Sequence, residues 1–409
     1  MSLALSYICY YQQYLYSLLY PAPKPTEHPF KLGVLSSANI NDVASALSVS
    51  LPIQATNMLT LVSVILPAQD HPDVELYAVA SRDTSTAKSL AHKHRFQTSY
   101  GSYEELLADP EVDFVYIPLP NGLHFQWARN ALEAGKHVLL EKPLTSNAAE
   151  ARKLVRKAKE CGKILLEAFH WQFHPAAHYF RLILDSGKYG RILATDAQMT
   201  CTPSIPEGDI RWQYDLAGGS LMDMTYVLSF TRYALNAGAP EEVITARAQP
   251  TEYDRRVDSS MKATLRFKTG DGHDVVSTIY TDMKRAWAMD IVPRFWELPS
   301  IEVETEKAKI YFYNAMMPHL YHYIQITEKD TGNTTYEKHY TGGPQWGDDR
   351  GQPYWSTYRY QLEAFVDKMR GKRPAHWVTN DDSILQMQAV DDVYHKSGMP
   401  LRPTSDAAI

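Results

Sequence analysis

The chain has 409 residues, of which 44% are hydrophobic and 22% charged, and its formal net charge is −6. This length allows two domains of ordinary size, and the composition is that of a globular protein that can bury a large core. The acidic balance argues against a nucleic-acid partner, because surfaces that bind nucleic acids are basic. The three cysteines are far apart and form no C-x-x-C pair. They favour a reducing, cytoplasmic environment over a disulfide framework or a zinc site.

The N-terminal segment is apolar and rich in tyrosine. No Lys or Arg precedes the apolar run, and Gln12 and Gln13 interrupt it. The residues that fall on one face at helical spacing are Tyr7, Tyr11, Tyr14 and Leu18. The pattern favours an amphipathic helix docked on the protein, while a membrane-surface anchor and a signal sequence stay open as alternatives. We assign residues 1–27 to this helix and to a stiff linker rich in proline.

Strands and helices alternate between residues 28 and 165. The predicted strands are Lys31–Leu35, Val74–Ala80, Phe114–Pro118 and His137–Leu140. Helices are predicted after Ser81, around Trp127 and after Asn147, which can act as an N-cap with Glu150 three residues later. Strands that are apolar on both faces and alternate with helices predict a parallel sheet covered on both sides, as in a Rossmann domain.

The loop after the first predicted strand is a candidate phosphate site. Ser36 and Ala38 occupy the places of the first two glycines in G-x-G-x-x-G, and Asn39 and Ile40 continue the loop. Small residues at this point let the backbone approach a pyrophosphate at a helix N-terminus. An ordinary strand-to-helix turn explains the same residues, so both interpretations stay open.

The ribose-binding position, expected about 20 residues further on, is found only at Ser81 and Arg82. The excess length lies in residues 43–63, part of an uncharged run that contains Pro52. Three interpretations of this segment are open: an apolar insertion, a rebuilt first helix or a retained intron. The retained intron is favoured because the segment interrupts an otherwise regular strand–helix–strand unit. Ser81 and Arg82 stand where an acidic residue would favour NAD, and a guanidinium can pair with the 2′-phosphate of NADP.

The pattern changes after about residue 190. Apolar and polar residues alternate in three segments that read as antiparallel strands, with a turn at residues 269–272. These segments are Ala263–Phe267, Ile301–Glu304 and Tyr323–Thr327. We assign residues 166–409 to an α+β substrate and oligomerisation domain with a large, mostly antiparallel sheet. A last helix carrying Tyr358, Leu362 and Phe365 on one side is expected to return to the first domain.

A series of short motifs occurs in order along the chain. The motifs are Ser81–Asp83, Pro118–His124, Glu141–Pro143, Glu167–Phe169, Phe173–Pro175 and Gly218–Asp223. In this order they resemble the glucose–fructose oxidoreductase/inositol dehydrogenase/MocA family. Within the family the chain is most similar to the branch of dimeric dihydrodiol dehydrogenases and fungal NADP-dependent D-xylose dehydrogenases. Outside the insertion, the resemblance covers about Phe30 to Pro403.

The resemblance implies that Lys142 is the catalytic lysine. It follows an apolar strand, at the sheet edge where open α/β folds bind ligands. The family's second catalytic or substrate-binding group follows an aspartate, here Asp223. Tyr226 comes one position early for the family pattern, which turns its direction by about 100° on a continuous helix. We expect Tyr226 to act as acid/base and Asp223 to bind sugar hydroxyls, with a packed tyrosine and a helix cap as the alternatives.

Four further residues are predicted to lie near the cofactor. The resemblance implies that Pro118, Asn121, His124 and Glu141 lie on the cofactor side. A lone histidine is often structural, so a packing role for His124 stays open.

The substrate side is expected to include Arg211 and Trp212, although a tryptophan is also an ordinary core residue. His170 and His174 have the spacing of metal ligands, but no H-E-x-x-H pattern accompanies them, so no metal site is predicted.

The resemblance implies an NADP-dependent dehydrogenase that acts on CH–OH groups. Hydride would pass between NADP and C1 of an aldose such as D-xylose, giving the lactone, or a trans-dihydrodiol. A secondary-metabolite tailoring reductase and a non-catalytic NADP(H)-binding protein are the alternatives. The expected partners are a small carbohydrate-like substrate and a second copy of the chain, with no nucleic acid and no membrane.

Overall fold

The computed structural model describes residues 11–12, 15–16, 19–20, 22–36, 61–201, 204–289, 291–348 and 350–406. Its first sheet contains β1 (Phe30–Leu35), β2 (Val74–Ala80), β3 (Thr98–Tyr100), β4 (Phe114–Ile117), β5 (His137–Leu140) and β6 (Leu165–Glu167). All six strands are parallel, in the order β3-β2-β1-β4-β5-β6. The predicted Rossmann arrangement is therefore confirmed.

In the part of the chain that the structure describes, five α-helices accompany this sheet. They are α1 (Leu66–Gln69), α2 (Thr84–His94), α3 (Tyr103–Ala108), α4 (His124–Glu133) and α5 (Ala148–Cys161). Asn147 caps α5 by accepting the backbone N–H of Glu150, as predicted. The Glu150 carboxylate does not reach back to Asn147, because it accepts the backbone N–H groups of Ser146 and Ser405 instead. The capping interaction is thus one-sided, and Glu150 binds the C-terminal tail.

The end of the extra segment is helical. A π-helical turn over Leu61–Ile65 leads directly into α1, which precedes β2. Val64, Ile65 and Ala68 are buried in the core between the parallel sheet and the C-terminal part of the chain. Residues 61–63 therefore belong to the crossover between β1 and β2, although they lie within the predicted insertion. The remainder, residues 43–60, lies outside the described residues.

The second sheet has eight strands. In chain order they are β7 (Ile192–Thr200), β8 (Glu242–Pro250), β9 (Asp258–Lys268), β10 (Asp274–Asp282), β11 (Ser300–Thr305), β12 (Ala308–Tyr313), β13 (Tyr323–Glu328) and β14 (Thr334–Glu337). Within the sheet they lie in the order β14-β13-β12-β11-β7-β10-β9-β8. Only the pairing of β7 with β10 is parallel. The expected mostly antiparallel sheet is confirmed.

Five further helices cover this sheet or return to the first one. They are α6 (Pro175–Asp185), α7 (Ser220–Asp223), α8 (Tyr226–Leu235), α9 (Thr357–Met369) and α10 (Asn380–Ser397). α8 packs on β7, β10 and β11, while α9 packs on α1 and α10 packs on α5. The expectation that α9 is the last helix is wrong, because α10 follows it.

The predicted boundary between residues 165 and 166 falls inside β6, all of which belongs to the parallel sheet. No helix in the described part of the chain is long and apolar enough to cross a membrane.

Candidate active site

The structure brings Lys142, Asp223 and Tyr226 together at the carboxyl edge of the parallel sheet. Lys142 follows β5, and its peptide bond to Pro143 is cis. Its Nζ donates a 2.6 Å hydrogen bond to the backbone carbonyl of Asp223 and lies 3.5 Å from Oδ1 of that carboxylate. The same nitrogen is 5.3 Å from the centre of the Tyr226 ring. The ammonium group therefore has a fixed direction while part of its surface stays accessible.

Asp223 pairs with two cations. Its Oδ1 is 3.1 Å from Nε of Arg211, which also pairs with Asp209, and 3.5 Å from Nζ of Lys142. Burial alone would raise the pKa of Asp223, but the charges of Arg211 and Lys142 outweigh it and hold that pKa well below the usual range. Asp223 is therefore ionised, and it positions both cations rather than acting as an acid.

A break between two helices determines where Tyr226 points. α7 ends at Asp223 and α8 begins at Tyr226, with Met224 and Thr225 between them. The Tyr226 hydroxyl lies 2.9 Å from Nε2 of His170. Burial raises the pKa of Tyr226 well above its usual value, so the phenol is protonated.

Glu141 is held by β4. The hydroxyl of Tyr116 donates a 2.5 Å hydrogen bond to its Oε1, and the backbone N–H of Lys142 donates to Oε2. Tyr116 also lies 2.7 Å from the hydroxyl of Ser63, in the turn before α1. Burial raises the pKa of Glu141. The side chain thus orients the loop that carries Lys142.

His124 joins two loops of the site. Its Nδ1 is 2.8 Å from the carbonyl of Pro143, its Nε2 is 2.8 Å from the carbonyl of Leu119, and the ring is fully buried. Burial lowers the pKa of His124 to about 4. Because both ring nitrogens face backbone carbonyls, His124 holds the Lys142–Pro143 loop against the end of β4, which is a positioning role. Asn121 makes a similar link to the carbonyl of Ala217.

Several residues predicted to bind the cofactor follow β1, β2 and β4. Ser36 is buried, and its carbonyl accepts a hydrogen bond from the hydroxyl of Tyr103. Ser81 is buried as well, whereas Arg82 is exposed and has no ion pair with any residue that the structure describes. Ala38, Asn39 and Ile40 lie outside the described residues. Pro118 is buried at the end of β4.

Asp83 is the acidic residue nearest to the ribose-binding position, and its carboxylate already accepts three hydrogen bonds within the protein. Its Oδ1 accepts the backbone N–H of Thr86 and the hydroxyls of Ser85 and Thr86, which caps α2. These side-chain hydrogen bonds lower the pKa of Asp83 to about 2. Among the described residues, the charge without an ion pair at the end of β2 is therefore the guanidinium of Arg82, and this donor fits a phosphate on the ribose better than a free hydroxyl.

Arg211 and Trp212 lie on a short 3-10 turn at the substrate side. Arg211 faces Asp223, whereas the Trp212 ring is buried and its Nε1 donates to the carbonyl of Pro206. Nζ of Lys284 lies 5.9 Å from the Trp212 ring and 4.5 Å from the ring of Tyr253. Arg211 therefore belongs to the charged centre of the site, and Trp212 belongs to its wall.

The C-terminal tail fixes the turn before α7. Arg402 is fully buried, pairs with Asp258 at 2.5 Å and donates to the carbonyl of Gly218. A Cβ atom at Gly219 would collide with Asp258 and Arg402, so only glycine fits there. Because α7 ends at Asp223, this buried pair sets the position of the charged centre.

His170 and His174 have structural partners. Nδ1 of His170 is 2.8 Å from the hydroxyl of Thr357, and Nδ1 of His174 accepts the backbone N–H of Ala176 to cap α6. In the described ranges, no group of three His, Cys, Asp or Glu side chains could hold a metal ion.

Sequence reasoning missed that Tyr116, His170 and Thr357 belong to the site. For His170, the sequence position could have indicated a place in the site, because this residue lies between the motifs Glu167–Phe169 and Phe173–Pro175.

Two family models match the chain. The model of the oxidoreductase family with an NAD-binding Rossmann fold matches residues 61–169, and the GFO/IDH/MocA C-terminal domain matches residues 178–310. The first match begins at the π-helical turn before α1, after the part of the extra segment that the structure leaves undescribed.

Two named dehydrogenases are similar to this chain in sequence. D-xylose 1-dehydrogenase (NADP(+)) 2 of Haloferax volcanii is 31% identical over 341 residues, which cover 82% of this chain and 94% of that protein. Trans-1,2-dihydrobenzene-1,2-diol dehydrogenase of Sus scrofa is 35% identical over 212 residues, which cover 52% of this chain and 61% of that protein.

Solved structures extend the similarity to the whole fold. A 3-ketoreductase from Actinomadura kijaniata in complex with NADP and TDP-benzene superposes with a TM-score of 0.70 at 26% identity, covering 90% of this chain and 98% of that one. Other structures of that enzyme carry a replaced lysine or a replaced tyrosine, and the two positions are as far apart in its sequence as Lys142 and Tyr226 are here. From the matched domains and these relatives, we conclude that the chain belongs to the GFO/IDH/MocA family of oxidoreductases.

Proposed function

We propose that the protein is an NADP-dependent dehydrogenase that oxidises C1 of an aldose such as D-xylose to the lactone, or the carbinol of a trans-dihydrodiol. The observation that carries this proposal is the cluster of Lys142, Asp223 and Tyr226 at the carboxyl end of β5. An ammonium beside a phenol can hold a substrate hydroxyl and exchange its proton.

The geometry suggests a separate role in the reaction for each of these residues. When bound, the dinucleotide would supply the hydride acceptor for the carbon that is oxidised. Lys142, directed by Asp223, keeps hydrogen-bond donors for the substrate oxygen and stabilises its negative charge as the proton leaves. Tyr226 accepts that proton in the oxidation and returns it in the reduction. Arg211 holds Asp223 in place and offers a second cation to the substrate side.

Three observations support NADP as the cofactor. Arg82 is exposed without an ion pair in the described structure, and Asp83 is engaged in capping α2. Relatives with this family's fold bind or use NADP.

The direct test is NADPH formation, followed by its near-ultraviolet absorbance with D-xylose, other aldoses and a trans-dihydrodiol as substrates. We expect Lys142→Met to lower kcat about a hundredfold to ten-thousandfold, the range for loss of an acid–base group. Lys159→Met, an exposed lysine on α5, is the control and should change little. If Lys142→Met kept wild-type turnover, the assignment would be wrong.

The same assay tests the extra segment. We propose, as the favoured interpretation, that it is a retained intron. Residues 61–63 should be kept because they form the turn before α1, so the shortened variant lacks residues 43–60. Turnover in the shortened protein alone would support the retained intron, together with a transcript that lacks the segment. Equal turnover in both forms would favour a genuine insertion.

A second candidate function is reduction of a nucleotide-linked ketosugar in secondary metabolism. The similarity to dTDP-3,4-didehydro-2,6-dideoxy-alpha-D-glucose 3-reductase of Actinomadura kijaniata, 39% identical over 206 residues that cover 61% of that protein, favours it. Consumption of NADPH with a dTDP-ketosugar, and no aldose oxidation, would select this function. Tight NADPH binding with turnover of neither substrate class would select the third alternative, a non-catalytic binding protein.

We further propose a cytoplasmic homodimer that forms through the outer face of the eight-stranded sheet. This face exposes Leu193, Val276 and Tyr336, and the rings of Tyr313 and Tyr323 stack on it at 4.9 Å. Aromatic rings on this face, together with charged side chains such as Glu302 and Lys309, suit a self-complementary interface. Light scattering of the purified protein measures the mass directly.

A further inference from the structure

A buried chain of hydrogen bonds leads away from Tyr226. Its hydroxyl lies 2.9 Å from Nε2 of His170, and Nδ1 of that ring lies 2.8 Å from the hydroxyl of Thr357. The Thr357 hydroxyl lies 3.3 Å from Nδ1 of His319. All four side chains are at most 4% exposed. The chain joins α8, the 3-10 turn after β6, the start of α9 and the loop before β13.

The contacts determine which way each hydrogen bond points. The backbone N–H of Thr357 is directed at Nδ1 of His319, at 3.4 Å, and a backbone N–H can only donate. That nitrogen therefore carries a lone pair, and the Thr357 hydroxyl can donate to it as well. The Thr357 oxygen is then left to accept Nδ1–H of His170. A neutral imidazole with its proton on Nδ1 has a lone pair on Nε2, which accepts the hydroxyl of Tyr226.

Both histidines are neutral in this arrangement. Burial lowers the pKa of His170 well below its usual value and that of His319 to about 3. The charges that face His170 come from Lys142 and from His319 when it is protonated, and both disfavour a second proton on His170. The other neighbours are the uncharged rings of Tyr226 and Tyr358, the latter at 4.0 Å. Each hydrogen bond of the chain therefore holds a single proton.

We propose that His170, Thr357 and His319 form a proton relay that serves Tyr226 during alcohol oxidation. The proposal rests on the dehydrogenase function proposed above. In the oxidation, the substrate O–H bond breaks and its proton bonds to the Tyr226 oxygen, while the electron pair of the C–H bond leaves as hydride to the nicotinamide of the bound dinucleotide. The original Tyr226 proton passes to Nε2 of His170.

The relay then moves that charge away from the substrate. The Nδ1 proton of His170 passes to the Thr357 oxygen, and the Thr357 hydroxyl proton passes to Nδ1 of His319. The substrate has lost a hydride and a proton, the dinucleotide has gained the hydride, and the proton has reached His319. Burial makes His319 a weak base, so it has to release this proton before the next turnover. Tyr226 keeps a proton throughout, so no tyrosinate accumulates in a site where burial disfavours it. In the reduction, each step runs in reverse.

Thr357 offers a matched pair of variants. Thr357→Val keeps the shape of the side chain and removes the hydroxyl, while Thr357→Ser restores the hydroxyl. We expect Thr357→Val to lower kcat by about tenfold or more, with an unchanged KM for NADP, and Thr357→Ser to recover most of kcat. His170→Gln still offers a partner to Tyr226 but cannot pass a proton on, so it should resemble Thr357→Val.

Kinetic measurements in mixtures of light and heavy water distinguish a relay from a structural contact. A rate that depends on more than one proton gives a curved plot against the deuterium fraction, and we expect this for the wild type. Thr357→Val should give a straight line. If Thr357→Val kept the curvature and the wild-type kcat, the relay would be refuted. The relay would also be refuted if Thr357→Ser failed to recover kcat while all variants had the same melting temperature.

Nitrogen NMR of the protein with isotope-labelled histidine tests the relay without any substrate. His170→Gln and His319→Gln identify the two signals by their loss. We expect the proton of His170 on Nδ1 and that of His319 on Nε2. The opposite tautomer of His170 would overturn the relay even in an active enzyme, whereas the expected tautomers in a protein that oxidises no alcohol would count only against the proposed reaction.

Discussion

Replacement of Arg82 tests the cofactor assignment most directly. Arg82 is exposed at the end of β2, has no ion pair within the described ranges, and is followed by Asp83, whose carboxylate caps α2. If the guanidinium binds the 2′-phosphate of NADP, Arg82→Ala removes a contact that NAD cannot make. The variant should therefore bind NADP more weakly and NAD with unchanged affinity.

The size of this effect follows from the exposure of Arg82. A hydrogen bond to a charged group contributes about 1.5–3 kcal/mol, and solvent screens a pair formed at the surface. The lower end of that range is therefore expected, and it corresponds to about a tenfold rise in the Kd for NADP. Screening also predicts that the difference between wild type and variant shrinks as the salt concentration rises.

Calorimetric titration with NADP and with NAD measures both affinities without turnover. Lys93→Ala is the matched control, because it removes one exposed positive charge from the other end of α2. We expect the control to leave the ratio of the two affinities unchanged. An equal loss of NADP and NAD binding in Arg82→Ala, or no loss of either, would refute the assignment of the 2′-phosphate to Arg82.

The C-terminal tail and His376, a half-buried histidine, give two further predictions. Arg402 is fully buried against Asp258, so Arg402→Met leaves a buried carboxylate without its cation. This substitution should lower the free energy of unfolding by about 3–5 kcal/mol. An unchanged midpoint of urea unfolding would contradict this. Burial lowers the pKa of His376 from 6.5 to about 4, so between these values the unfolded chain binds a proton that the folded chain does not. Stability should therefore fall as the pH drops from about 6.5 to about 4, and His376→Gln should make the fall less steep in thermal unfolding.

The strands of the parallel sheet could be predicted because their signal is local. VELYAVA, the sequence of β2, is a short apolar run bounded by polar turns, and Asn147 caps α5 through a side chain three residues from its partner. α10 carries such signals only at its ends, where Thr379 and Asp382 form a capping box and Gly398 ends the helix. Its buried side includes the polar residues Ser383 and Gln386, so its sequence lacks a clear apolar stripe.

The candidate site could be predicted only in part. The order of motifs pointed to Lys142 and Asp223, but no local pattern indicates that His170 and Thr357, 187 residues apart, form a hydrogen bond. Only the packing of α9 on the 3-10 turn after β6 brings them together. Partners that depend on tertiary contacts leave no periodic trace in the sequence.

The position of Tyr226 shows how a spacing argument depends on the element it assumes. On one continuous helix, a tyrosine one residue early would point about 100° away from the expected direction. The chain instead ends α7 at Asp223 and starts α8 at Tyr226, so the two residues lie on different helices. Arg402 and Asp258 fix the turn before α7, and His170 fixes the hydroxyl of Tyr226. The early tyrosine is therefore compatible with a working site, because each side chain is positioned by its own buried partner rather than by a shared helix.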